Sequence, residues 1–193
     1  MAADGGDTAA RVLSFWLGEA DPDLAADGTP RKEWFVADPA FDTAIRDAFA
    51  GDVGRAARGE LDGLAESARG ALALVVLLDQ FPRNLNRGSP EAFATDAKAL
   101  EVAETAIGRG FDAELGLHRR MFLYLPLEHA EDIDAQIRSV ELFRAMGDEG
   151  YYRYALEHHY VISRFGRFPT RNKALGRADT AEEAAFLAGF DAF

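Results

Sequence analysis

Apolar residues recur along this chain at three- and four-residue spacing, punctuated by Gly, Pro and capping residues, and no stretch alternates with the period of two that marks a half-buried strand. Residues 8–17 carry Val12, Leu13, Phe15, Trp16 and Leu17 and end at Gly18. Asp38-Pro39 supplies an N-cap and a first-turn proline for a helix with Phe41, Ile45 and Phe49 four residues apart. Ser67 caps a helix that is apolar on every side through Leu78, which predicts a central, buried element. Ser89-Pro90-Glu91 opens the next, with Phe93, Ala97, Leu100 and Ala103 on one face and a stop near Gly108. Helices are predicted over 113–124 and 127–146, separated or kinked at Pro126. Residues 150–166 form an aromatic helix, and Thr180-Ala181-Glu182-Glu183 reads as a capping box for a last short one. The expected fold is all-α, antiparallel helix pairs stacked in a single domain over 1–193, with residues 19–33 and 167–179 as the long loops where function tends to sit. Trp16, Trp34 and Phe35 are expected in the core.

Two segments repeat one theme within this pattern. Phe81-Pro82-Arg83-Asn84 is followed by Arg87, Ser89 and Glu91; Phe168-Pro169-Thr170-Arg171-Asn172 is followed by Arg177, Thr180 and Glu183. Each couples a Phe-Pro stop signal to an Arg-Asn pair on a turn next to a helix start. Free N–H groups and a partial positive charge at such a start suit an anion. Arg83, Asn84, Arg87, Arg164, Arg167, Arg171 and Asn172 are therefore the candidate ligand-binding residues, provided the two motifs converge. The alternative is that each Asn ties down a turn and each Arg pairs with an acid.

Charge changes the picture further. The chain carries 21 basic and 33 acidic residues, a net charge of −12, so a phosphate backbone would be repelled and no nucleic-acid partner is expected. Only three of the basic residues are Lys. Arg dominance follows from a GC-rich coding bias or from a need for planar forks that grip carboxylate or phosphate in pairs. No apolar run approaches the ~20 residues of a membrane helix, no signal peptide is visible, and there is no cysteine. The expectation is a cytoplasmic protein with no membrane partner, no disulfide and no thiolate chemistry.

Five segments occur in a telling order: Val12-Leu13-Ser14-Phe15-Trp16-Leu17-Gly18, Trp34-Phe35, Leu77 through Asn84, Tyr124 through Asp132, and Arg164 through Asn172. Together they resemble the bacterial family catalogued as domain of unknown function 924, over about residues 11–190. The resemblance implies a TPR-like, all-helical fold and brings no established activity. This chain departs from the family pattern at Ala130, where Ser is commoner, and at Thr170, where His is commoner. The second departure removes a possible ligand or base.

Chemistry-bearing residues outside the repeated motifs are few. Asp79 ends the buried helix, against the negative end of its dipole, and so is expected to pair with an Arg, Arg83 or Arg167. Glu128, Glu131 and Asp132 share a helix face while His129 points elsewhere; without a second Glu-x-x-His or a His-Glu-x-x-His no metal is expected, and no other cofactor is implied. Pairing with the Arg cluster is the simpler role for these acids. His158 lies on the stripe Tyr151, Tyr154, Ile162, Phe165 and is expected to be buried and hydrogen-bonded. Asp79, Glu128, His129 and His158 are the weak catalytic candidates. Ser163 lacks an elbow motif and a third triad member.

Two functions compete. One is a small anionic molecule, carboxylate or phosphate, held in an Arg/Asn/acid-lined polar site. The other is a protein- or peptide-binding module, with the polar motifs as its internal network. Only the Phe-Pro/Arg-Asn unit recurs, where a repeat scaffold would show a period near 34 residues. No heptad seam demands an oligomer, although a dimer through the aromatic helix is open.

Overall fold

The structure, a computed structural model, describes residues 2–20 and 22–189. All regular elements among these residues are helical, and no strand occurs. Two compact units make up the fold. The first gathers the residues up to Arg87 and from Glu91 to Pro126; the second gathers Gly88–Pro90 and those from Leu127 onward.

The first unit is built around α3 (Ala68–Val75), which packs against α1 (Ala2–Leu17) and α5 (Asp96–Gly108). Pairs of buried residues every four positions, Thr8 and Ala9, Val12 and Leu13, Trp16 and Leu17, give α1 its single apolar stripe. Helix α2 (Pro39–Ala57) begins as its sequence demands: the Asp38 carboxylate accepts from the N–H groups of Ala40 and Phe41 at 2.8 and 3.2 Å. Ser67 likewise caps α3 through the Gly70 N–H. From Ala71 to Leu78 every side chain is at most 1% exposed. Each buried Leu or Val there contributes about 1.5–3 kcal/mol of transfer free energy, an upper figure because denatured chains already hide some surface.

The Phe81-Pro82 pair does not end this helix. Val76–Gln80 winds as a π-turn, with the Phe81 N–H bonding back five residues to Val76 O, and α4 (Phe81–Leu85) continues with Pro82 in its first turn. Arg83 and Asn84 therefore sit on a helix rather than on a turn. Pro82 has no N–H for the carbonyl of Leu78, and the Thr95 hydroxyl donates to that oxygen instead. The next helix starts later than its sequence predicts. Pro90–Ala92 makes only a 3-10 turn, and α5 opens at Asp96.

Residues 19–20 and 22–31 belong to a strap held to the start of α6 (Leu117–Glu128). Gly116 N donates to Leu24 O at 2.7 Å, and the Asp27 carboxylate accepts from Leu117 N at 2.8 Å, capping a helix 90 residues away. Arg119, wholly buried, donates to Ala26 O and Glu19. The approach is close enough to require glycine: a Cβ on Gly116 would lie 2.1 Å from Ala26 O. Trp16 and Trp34 are core, with Trp34 donating to Trp16 O, but Phe35 is 62% exposed because the 3-10 turn Lys32–Trp34 directs only Trp34 inward.

Pro126 lies inside α6 and does not separate one helix from the next. The break falls at residues 129–132, where Gln136 donates its amide hydrogens to the carbonyls of Glu128 and Ala130, and Asp132 caps α7 (Ile133–Met146). Glu128 is thus at a helix C-terminus rather than in a first turn. In the second unit α7 and α8 (Glu149–Phe165) form an antiparallel hairpin joined by Gly147 and Asp148. Gly166 in the left-handed region ends α8, a 3-10 turn spans Pro169–Arg171, and the Thr180/Glu183 capping box launches α9 (Ala181–Ala188) as expected.

Candidate functional site

The two repeated motifs fall in different units, and each is closed by acids of its own unit. In the first, Asp79 is fully buried and Arg83, one of the two partners expected for it, is there: Nη1 lies 3.1 Å from Asp79 Oδ1 and donates to the Asp79 carbonyl at 2.6 Å. Arg83 also forks onto Asp96, both bonds at 2.9 Å. Burial alone would weaken the Arg83 charge, yet Asp79 and Asp96 outweigh it and raise the proton affinity. Gln80 donates to the remaining Asp79 oxygen. Asn84 and Arg87 converge on Asp42, which accepts from Asn84 Nδ2 at 2.8 Å and from both ends of the Arg87 fork at 2.7 and 2.9 Å. Chiefly through the Arg87 hydrogen bond, the Asp42 carboxyl is held below its ordinary range.

The second motif repeats the scheme with other partners. Asn172 donates to Asp179 and accepts from Arg177, each at 2.8 Å. Arg177 forks onto Glu131 at 2.6 and 2.9 Å, and Glu131 also accepts from the Phe168 N–H. Burial pushes the Glu131 carboxyl up, but Arg177 and that N–H together hold it below the usual range. The expected pairing of this acidic face with the Arg cluster is what the geometry shows for Glu131. Arg167 forks onto Glu183 at 2.6 and 2.8 Å, and with the Thr180 N–H it pulls that carboxyl down to about 2. Arg164 bonds Glu182 at 2.9 Å and the Tyr160 hydroxyl at 2.8 Å.

Arg171 is arranged differently. Its guanidinium carbon stands 4.6 Å over the Phe168 ring, and Nη2 donates to the His129 carbonyl at 2.9 Å. Stacking uses the face of the guanidinium, so its edge is the hydrogen-bonding surface. The His129 and His158 rings are 6.2 Å apart, and His158 meets Phe168 edge-on at 5.5 Å. Behind them Glu128, 4% exposed, places Oε1 3.4 Å from His158 Nδ1. His158 is hydrogen-bonded, as expected, to the Tyr154 carbonyl at 2.9 Å, but it is only partly buried, because the stripe it shares includes the exposed Tyr154. So Glu128, His129, His158 and Arg171 are gathered in the second unit, whereas Asp79, Arg83, Asn84 and Arg87 belong to the first. Among the described residues no group of three or more His, Asp or Glu side chains is set to hold a metal ion.

Several structural polar residues gave no signal as motifs. Asp42 and Asp96 look like ordinary surface acids on their helices. Buried Arg119 does have one: it stands three residues before Phe122, on the apolar side of α6. Gln136 Oε1 and Ser139 Oγ, both wholly buried one turn apart on α7, have no hydrogen-bond partner in the structure.

These features define an all-helical protein whose Phe-Pro/Arg-Asn segments are tied to carboxylates within each unit. The chain belongs to the bacterial family of unknown function catalogued as domain of unknown function 924, whose model matches residues 12–190. It is similar to a solved protein of unknown function from Agrobacterium tumefaciens, at 43% identity over 95% of this chain and 98% of that one, with a TM-score of 0.85. None of the curated proteins compared matches it. No helix among the described residues is long and apolar enough to cross a membrane.

Proposed function

We propose that this is a cytoplasmic helical protein that binds a small anionic ligand, a carboxylate or a phosphate, at the face of the second unit formed by Arg171, His129 and His158. One observation carries this reading: a guanidinium stacked on Phe168 and tethered to the His129 carbonyl lies beside two imidazoles, so three nitrogen-rich groups share one patch of a protein with net charge −12. Arg offers the planar edge that a carboxylate or phosphate fits, and imidazoles add hydrogen-bonding nitrogens beside it. Arg83, Arg87, Arg164 and Arg167, with Asn84 and Asn172, bond carboxylates and tie their segments to the fold. The test is a thermal-shift series with inorganic phosphate, succinate and citrate. At least one anion should raise the melting temperature of the wild type by several degrees and have no effect on Arg171→Ala. Equal responses from both proteins would refute the site.

A second reading, a TPR-like peptide-binding module, draws on exposed apolar residues of the hairpin. Ile133 and Ile137 lie one turn apart on α7, and Leu156 and Tyr160 one turn apart on α8, all 40–51% exposed. Capture of a peptide ligand lost on Ile137→Asp and Tyr160→Asp, yet kept by Arg171→Ala, would favour it over the anion site.

A further inference from the structure

Helix α9 is held by charge more than by apolar burial. Five of its eight residues are exposed, Phe186 and Leu187 are half-buried, and the one buried residue is a carboxylate, Glu183. A surface helix ordinarily docks through an apolar stripe, as α1 does. This one docks through two acids of its first turn. Glu182 accepts from Arg164, and Glu183 accepts from both ends of the Arg167 fork. Beside them Phe186 meets Phe165 with ring centres 5.0 Å apart, at the edge of the small core of Val161, Ile162 and Phe168.

The chain leading to α9 has ties of its own. Arg177 forks onto Glu131, and Asn172 donates to Asp179. Release of α9 therefore leaves the turn before it in place. A two-turn helix is marginal alone in water, because nucleation costs more than so few hydrogen bonds return. Once undocked, α9 loses its helical form, and Arg164 and Arg167 are left with Phe165 between them in sequence, both guanidiniums open to another carboxylate.

What these residues hold in cis defines what they would hold in trans. The match is a helix with consecutive acids in its first turn and an aromatic residue three positions after the second, the spacing of Glu182, Glu183 and Phe186. We propose that Arg164, Phe165 and Arg167 form a docking surface for an acidic helix of a partner protein, with α9 as the resident competitor that covers it. Tethering gives α9 a high effective concentration, so the apparent affinity for a partner is set by how often α9 is away.

The probe is a synthetic peptide of residues 178–189 with blocked ends, added to the full chain and followed by NMR through the side-chain Nε–H signals of Arg164 and Arg167. Wild type is compared with Glu182→Gln/Glu183→Gln, which weakens the resident helix, and with Thr180→Ala, which removes its cap and leaves both acids. The double variant should respond at a peptide concentration roughly tenfold lower than wild type, with Thr180→Ala between them. A peptide with Gln at both acid positions should have no effect. Amide protection over residues 71–78 reports that the rest of the chain is folded; if the double variant is not, Thr180→Ala carries the comparison. Unlatched variants that ignore the peptide, or a wild type that responds as strongly as they do, overturn the proposal. So does a response that vanishes in Arg171→Ala, which would place the peptide at the anion site. Wild type that dimerises with rising concentration while both arginine signals stay unchanged also overturns it, since α9 is then exchanged between copies.

Discussion

At the scale of single residues, the acids decide most of the architecture. Asp79 lies in the least accessible region of the first unit with Arg83 as its counter-charge, and removing one partner of such a pair strands the other. Asp79→Ala should cost about 2–4 kcal/mol, below the largest values for broken buried pairs because Asp96 still holds Arg83. Urea unfolding measures it, and a loss under about 0.5 kcal/mol would mean the pair contributes nothing net. Glu183 makes a pH-dependent prediction. Its carboxyl sits near 2 when folded against an ordinary 4.5, so its contribution is complete above about 4.5 and disappears as the pH falls through about 2. The melting-temperature gap between wild type and Arg167→Ala should be widest above pH 5 and close as pH 2 is approached. A gap that stays constant over that range would show that Arg167 acts through packing alone.

Among the elements, capping chemistry was the most readable feature of the sequence. Asp38-Pro39, Ser67 and Thr180/Glu183 each mark a helix start where local rules put one, since a cap is satisfied within four residues and needs no tertiary partner. Proline was the least readable. Pro82 and Pro126 both sit inside helical stretches, because the cost of a missing N–H is set by what else reaches the carbonyl it leaves behind, and for Leu78 that is Thr95, from a distant segment. Thr95→Val removes that donor and little else, so a loss of about 1–3 kcal/mol is expected in the same urea assay. For the candidate site, residue types were legible and partners were not. An Arg partner for Asp79 followed from its expected burial, with Arg83 one of two candidates, but Asp42 for Arg87 and Glu131 for Arg177 lie more than 40 residues away. The Glu128–His158 contact likewise joins two helices that the sequence alone does not align.

Across the whole molecule, stability should be graded rather than uniform. Ala71–Leu78 is buried on all sides, whereas α9 is a two-turn helix whose hold on the rest of its unit includes Arg167, Arg164 and the Phe165–Phe186 ring pair. Amide exchange should be slowest through residues 71–78 and faster by orders of magnitude in α9, even though both segments are helical. Comparable protection in the two would mean that the second unit opens only with global unfolding. The exposed apolar residues of the α7–α8 hairpin, Ile133, Ile137, Leu156 and Tyr160 among them, belong to this scale too, since they add little to the burial that holds the second unit together.

The wide turn at Val76–Gln80 has one more implication, for which changes in chain length the protein tolerates. A π-turn houses one residue more than an α-turn, and deleting any one of those five would let the segment relax to ordinary winding. Because a π-turn and an α-turn each sweep about one revolution, everything beyond it would keep nearly its present angle to α3, with Phe81 and Asn84 on their faces and Arg83 beside Asp96. This stretch can therefore lose one residue and keep its phase, and related chains shorter by one residue here should show ordinary α winding in place of the wide turn.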